Sequence, residues 1–176
     1  MDNIYFKGLE KALDAGCYIK VFSCAMRYPV VRVERKNLYN EEILVSYAEN
    51  GNVLAALNSA SNKIVNELKN AANKYIACER TLLDNVVDLG YTLHFYKLSN
   101  GQVLSTICSG GFENYIPVKS IISDDIQTGF KTLNASLKNF DFENAYDFYD
   151  FVESQTSPVE EYQNSLRKEK SQKTLK

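Results

Sequence analysis

The residues best able to do chemistry are few. The chain has one histidine, His94, and four cysteines, Cys17, Cys24, Cys78 and Cys108. A single imidazole cannot build a histidine-rich metal site or a histidine relay, and His94 lies inside a strand-like run, so it reads as a strand residue. No cysteine has the histidine near it in sequence, and no G-x-S-x-G nucleophile turn occurs. The cysteines show no C-x-x-C pair, which fits reduced thiols in or near the core of a cytoplasmic protein. Ser109-Gly110-Gly111 follows a strand but develops neither G-x-x-x-x-G-K-S/T nor G-x-G-x-x-G, so it reads as a turn. These patterns name no catalytic residue, no metal site and no cofactor. The expectation is a chain that is not an enzyme.

Charged and aromatic residues offer two weaker constellations. Arg27, Arg32 and Arg35 surround one strand-like run, with Lys20 on the run before it and Tyr47 on the run after it. Arginine forks and tyrosine rings on an uncovered sheet face would hold a nucleotide, another anion or a nucleic-acid strand. The same cations could instead be solvated or pair with Glu34, Glu41 and Glu42. The second constellation interleaves Asp141, Glu143, Asp147, Asp150 and Glu153 with Phe142, Tyr146, Phe148 and Tyr149. On a helix Phe142, Tyr146 and Tyr149 fall in line, giving an aromatic face that packs on the body or docks on a partner. That run lacks calcium-loop spacing. Asp124-Asp125 opens another expected helix, where acids cap the N-terminus.

The elements that must position these residues follow from periodicity. Residues 3–14 predict a helix, with Asp2 as its cap, Phe6, Leu9 and Leu13 on one face, and Gly16 at its end. Strands are predicted at 18–22, 30–35 and 43–47, with Pro29 at the start or edge of the second. A polar loop through Lys36-Asn37 and Tyr39-Asn40 joins the last two. Turn chemistry at Glu49–Asn52 precedes a long helix to about Ile76, apolar at Leu54, Leu57, Ile64 and Leu68. The second half predicts a helix at 79–88 ending at Gly90 and strands at 91–98 and 102–108. Between those strands Asn100-Gly101 predicts a two-residue turn with positive φ at both positions. A short edge strand at 115–118 and helices at 123–138 and 142–154 complete it. The order α-β-β-β-α, then α-β-β-(β)-α-α, predicts an α+β fold: a mainly antiparallel sheet with helices on one face. It also hints at a degenerate internal duplication, or at one sheet continued across both halves.

The first 76 residues resemble double-stranded-RNA-binding domains in their α-β-β-β-α order. The resemblance rests on Pro29-Val30-Val31-Arg32-Val33 through Tyr47, then Gly51 and Val53-Leu54-Ala55-Ala56-Leu57. That family would place lysines at the start of the last helix, across RNA phosphates. Asn52 to Ala56 stand there, and the first lysine is Lys63, so RNA binding is not carried over.

Length and composition suit one compact body. Of 176 residues, 45% are hydrophobic and 24% charged, the balance of a globular domain. Expected boundaries are 1–78 for the first αβββα unit, 79–156 for a second unit packed on it, and 157–176 for a flexible charged tail. Net charge is −2. Of the 20 Lys and Arg and 22 Asp and Glu, the last ten residues hold five and one, leaving fifteen and twenty-one before them. The body is acidic and the end basic. No stretch approaches the ~20 apolar residues of a membrane helix, and the N-terminus lacks a secretory pattern. The 12 Tyr and 9 Phe without Trp suggest half-buried edges or a contact surface. The function expected is a protein-interaction module (adaptor, inhibitor or accessory subunit) of the kind common in phages and mobile elements, with another protein or itself as partner. The alternative is a nucleotide, anion or nucleic-acid binder.

Overall fold

A computed structural model describes residues 6–23, 28–66, 78–109, 115–144 and 146–153. The chain divides into two units, Met1–Asn139 and Phe140–Lys176. In the first unit the order is α1 (Lys7–Asp14), β1 (Tyr18–Ser23), β2 (Pro29–Lys36), β3 (Glu42–Glu49) and α2 (Val53–Val65). It continues with α3 (Leu82–Asp88), β4 (Thr92–Lys97), β5 (Val103–Ser109), β6 (Ile116–Ser123) and α4 (Ile126–Ala135). Asp2, Ile76 and the tail at 157–176 lie outside the described residues, but α2 closes earlier than the expected Ile76, with Asn66 as its C-cap, and α1 starts at Lys7 after Phe6.

All six strands form one antiparallel sheet in the order β3-β2-β1-β4-β5-β6. Its helix-covered face is apolar. Ile19, Val21, Val31, Val33, Leu93 and Phe95 are fully buried there, beneath Leu9, Leu13, Leu57 and Leu133 from the helices. The fold is α+β with helices on one face.

Each half repeats one plan: a helix, a three-strand meander and a second helix. Gly16 and Gly90 end the leading helices at φ 81° and 92°, in the left-handed region that favours glycine. The interval from Gly16 to Gly90 also separates Lys20 from His94, which lie directly opposite each other where β1 meets β4. Two-fold symmetry thus runs through the centre of the sheet. The same interval relates Glu10 to Asp84, and these acids act alike. Glu10 accepts a hydrogen bond from Ile126 N, the first residue of α4. Asp84 accepts one from Val53 N, the first residue of α2, at 2.7 Å. Each half therefore caps the closing helix of the other. Asp84 also accepts from Thr81 N and Oγ1 at 2.7 and 3.0 Å, so one buried carboxylate serves two helix starts.

Some expectations need correction. Asn100-Gly101 does mark a hairpin, but only Gly101 has positive φ (86°). Gly101 N donates to Leu98 O and Leu98 N to Gln102 O, which closes a longer loop with one left-handed residue. Asn100 uses its side chain instead, accepting from Gln102 N at 3.0 Å. β6 runs to Ser123, well past the expected 118. Its run Val118–Ser123 lacks clean alternation because an edge strand is buried on one side only, and unevenly. Asp125 caps α4 as expected, accepting from Thr128 N at 2.7 Å.

Within the second unit, residues 146–153 are helical, so the helix starts later than the expected 142. Phe140, Phe142, Phe148 and Phe151 form a ring cluster with centroids 5.0–6.3 Å apart.

Candidate interaction surface

Register builds a polar row across the face opposite the helices. Tyr47 pairs with Arg32, Arg32 with Lys20, Lys20 with His94, His94 with Thr106, and Thr106 with Ser120. Three of the four residues expected to hold an anion, Arg32, Lys20 and Tyr47, thus stand side by side. Arg27 lies outside the described residues.

The cations in this row already have carboxylates. Arg32 Nε lies 2.6 Å from Glu34 Oε1, and Lys20 Nζ lies 3.4 Å from Glu34 Oε2 and 3.3 Å from Glu42 Oε1. Glu34 is buried, so its charge requires those partners. Tyr18 OH donates to Glu42 at 2.7 Å, and this bond, with Lys20, holds the Glu42 carboxyl below its usual range. Burial, then the bond to Glu42, pushes the Tyr18 hydroxyl far up. Lys20 Nζ also sits 5.1 Å from the Tyr18 ring centre and 5.6 Å from that of Tyr115. Two cations thus meet two carboxylates.

His94 is fully buried and held at both nitrogens, Nε2 by Thr92 Oγ1 at 2.9 Å and Nδ1 by Tyr96 OH at 2.7 Å. Burial, assisted by the Lys20 charge, lowers its pKa to about 4, so the ring is neutral at pH 7. Burial raises Tyr96 to about 12 and Cys108 to about 11. Cys17, Cys78 and Cys108 are free thiols, and Cys24 lies outside the described residues. No group of three or more metal-ligating side chains converges among the described residues.

A different feature faces outward without an internal use. The β2–β3 turn carries Leu38, fully exposed, and Tyr39, 84% exposed. Asn37 braces the turn. Its Oδ1 accepts from Tyr39 N and Glu41 N, both at 2.9 Å, and its Nδ2 donates to Glu41 Oε2 at 2.8 Å. Asn37 N also donates to Glu41 O, and Asn40 takes φ 64° to close the loop. Exposed Ile43 and Leu44 continue the apolar surface along β3. Sequence reading passed over this tip as a polar loop. The available signal was a Leu-Tyr pair between asparagines, where solvent-facing turns seldom need apolar residues.

Both sheet edges carry features that hinder strand addition. β3 and β6 each carry one unmatched residue, Val45 and Val118, where the register shifts. Lys63 Nζ takes the Tyr47 carbonyl on β3 at 2.8 Å, and Pro117 withholds a donor on β6.

The residues expected to form an aromatic docking face separate. Phe148 is buried and Phe142 half-buried within the phenylalanine cluster, while Tyr146 and Tyr149 are exposed. No helix among the described residues is long and apolar enough to cross a membrane. No protein-family model, curated protein or solved structure matches the chain.

Proposed function

We propose that this chain is a protein-docking module, an adaptor, inhibitor or accessory subunit, anchored by the β2–β3 turn. The observation that carries this reading is a turn braced by Asn37 that holds Leu38 and Tyr39 in solvent. Apolar side chains on a pre-ordered loop lose little further freedom on binding, which is how a small anchor supplies most of an interface's energy. The blunted edges favour contact through side chains over added strands. Nucleotide or nucleic-acid binding through Arg32, Lys20 and Tyr47 is the second reading. The shared row supports it, and the Glu34 and Glu42 carboxylates weaken it by offsetting the cations.

The test compares the full chain with its L38D/Y39S variant in cross-linking from source cells, with thermal midpoints recorded for both. A protein cross-linked by the wild type and lost by an equally stable variant supports docking through the turn. Identical cross-links from both would reject it.

A further inference from the structure

The two-fold plan exposes a difference at one end of the sheet. A groove of about 290 Å³ opens between α1, α2 and the first residues of β3, with Ala12, Ala15, Cys17 and Ile64 among its walls and Lys11 and Arg35 beside it. The interval from Gly16 to Gly90 matches the three wall residues on and just after α1 to residues of the second half. Ala12 corresponds to Val86, Ala15 to Leu89 and Cys17 to Tyr91. The second half has larger side chains at these places, with Val86 and Tyr91 buried and Leu89 exposed. The same interval matches Lys11 to Asn85 and Arg35 to Ser109, so the open groove is also the charged one.

Neither cation has an ion-pair partner among the described residues. The nearby acids in sequence are engaged elsewhere. Glu10 caps α4, Asp14 pairs with Lys97 at 3.0 Å, Glu34 meets Arg32 and Lys20, Glu41 is held by Asn37, and Glu42 by Tyr18. Two uncompensated positive charges therefore flank an apolar hollow in a chain whose net charge is −2. Burial keeps the Cys17 thiol protonated, so the wall adds no negative charge.

We propose that this groove binds a small carboxylate with a short apolar tail, the carboxylate meeting Lys11 and Arg35 and the tail lying against Ala12, Ala15 and Ile64. The volume sits at the small end of the ~300–1,000 Å³ range of ligand pockets, which limits the ligand to a compact molecule. The groove shares Ile43 and Leu44 with the apolar surface that continues from the docking turn but does not include Leu38 or Tyr39, so L38D/Y39S should leave it unchanged.

The experiment titrates octanoate into the isotope-labelled full chain at low salt, read by amide NMR. Saturable shifts centred on Ala12, Ala15, Ile43 and Ile64 are expected. K11M/R35M should weaken binding by about tenfold or more, and A15L, which copies Leu89 of the second half, should block it. Octylammonium and inorganic phosphate should not bind there, the first lacking the charge and the second the tail. An absence of saturable shifts, shifts elsewhere, or equal binding of octylammonium would overturn the proposal using the unmodified chain alone. Unchanged octanoate affinity in a folded K11M/R35M variant would also overturn it.

Discussion

The two halves of the sheet share a backbone plan and differ in what they carry. Across the face opposite the helices the first half places Tyr47, Arg32 and Lys20, while the second places His94, Thr106 and Ser120 in corresponding register, with His94 and Thr106 buried. At the paired register shifts, the first half buries Glu34 and the second buries Cys108. A buried carboxylate needs cations beside it, and Lys20 and Arg32 supply them. A buried thiol needs none, and Thr106 can turn to Ser120, 2.8 Å away. The second half is therefore the better-filled scaffold, and the first half holds the charges, the exposed turn and the groove. One backbone thus accommodates two differently furnished halves, because the meander fixes only where side chains point.

The sharpest way to break the symmetry is at its paired caps. Asp84→Ala would strand Val53 N in a buried setting and Thr81 N in a partly buried one, an expected loss of about 3 kcal/mol. Glu10→Ala, at the corresponding place, should cost about 1 kcal/mol because that site is only half-buried. Urea unfolding of both variants measures the difference, and equal losses would mean that the two caps do not differ in this way.

The next test uses the central pair. The His94 pKa of about 4 lies below its unfolded value of about 6.5, so the unfolded chain binds the extra proton between them. Stability should be complete above about pH 6.5 and fall by up to about 3 kcal/mol as pH drops toward 4. His94→Gln should flatten this part of the profile. Comparing the two proteins removes the contribution of Glu10, whose raised pKa acts with the opposite sign and is common to both. Parallel profiles would rule out His94 as the source.

Close helix contacts should follow with smaller effects. An added Cβ at Gly8 would meet the Ser61 backbone carbonyl, whereas one at Gly129 would meet the Ser105 and Ser123 hydroxyls. Backbone yields less readily than side chains. Gly8→Ala should therefore cost about 2–3 kcal/mol and Gly129→Ala about 1 kcal/mol; the reverse order in thermal unfolding would contradict this account. The smallest effect is expected at the turn. Leu38→Ala with Tyr39→Ala should change stability by less than about 0.5 kcal/mol, since neither side chain is buried. A larger loss would show that the turn is a structural element.

Much of the scaffold was legible because its signals are local. Alternation at Val31 to Glu34, the glycines at 16 and 90, the Asn100-Gly101 turn and the Asp125 cap act within a few residues and keep their meaning in the folded chain. The pairing of Arg32 and Lys20 with Glu34 and Glu42 was visible only as one of two alternatives, since sequence shows that charges are available but not which ones meet. The repeat left a trace in Leu9-Glu10 and Leu13-Asp14 before Gly16, matched by Leu83-Asp84 and Val87-Asp88 before Gly90. With few side chains kept in common, the trace was too faint to align the halves. Local patterning by itself therefore determined the fold class, most elements and the two helix stops at Gly16 and Gly90. Only the tertiary structure joined six strands into one sheet, set Lys20 opposite His94, exchanged caps between halves, buried Phe148 while exposing Leu38, and opened the groove beside Lys11 and Arg35. Those outcomes depend on register and on contacts between distant residues, and no short window of sequence contains both partners.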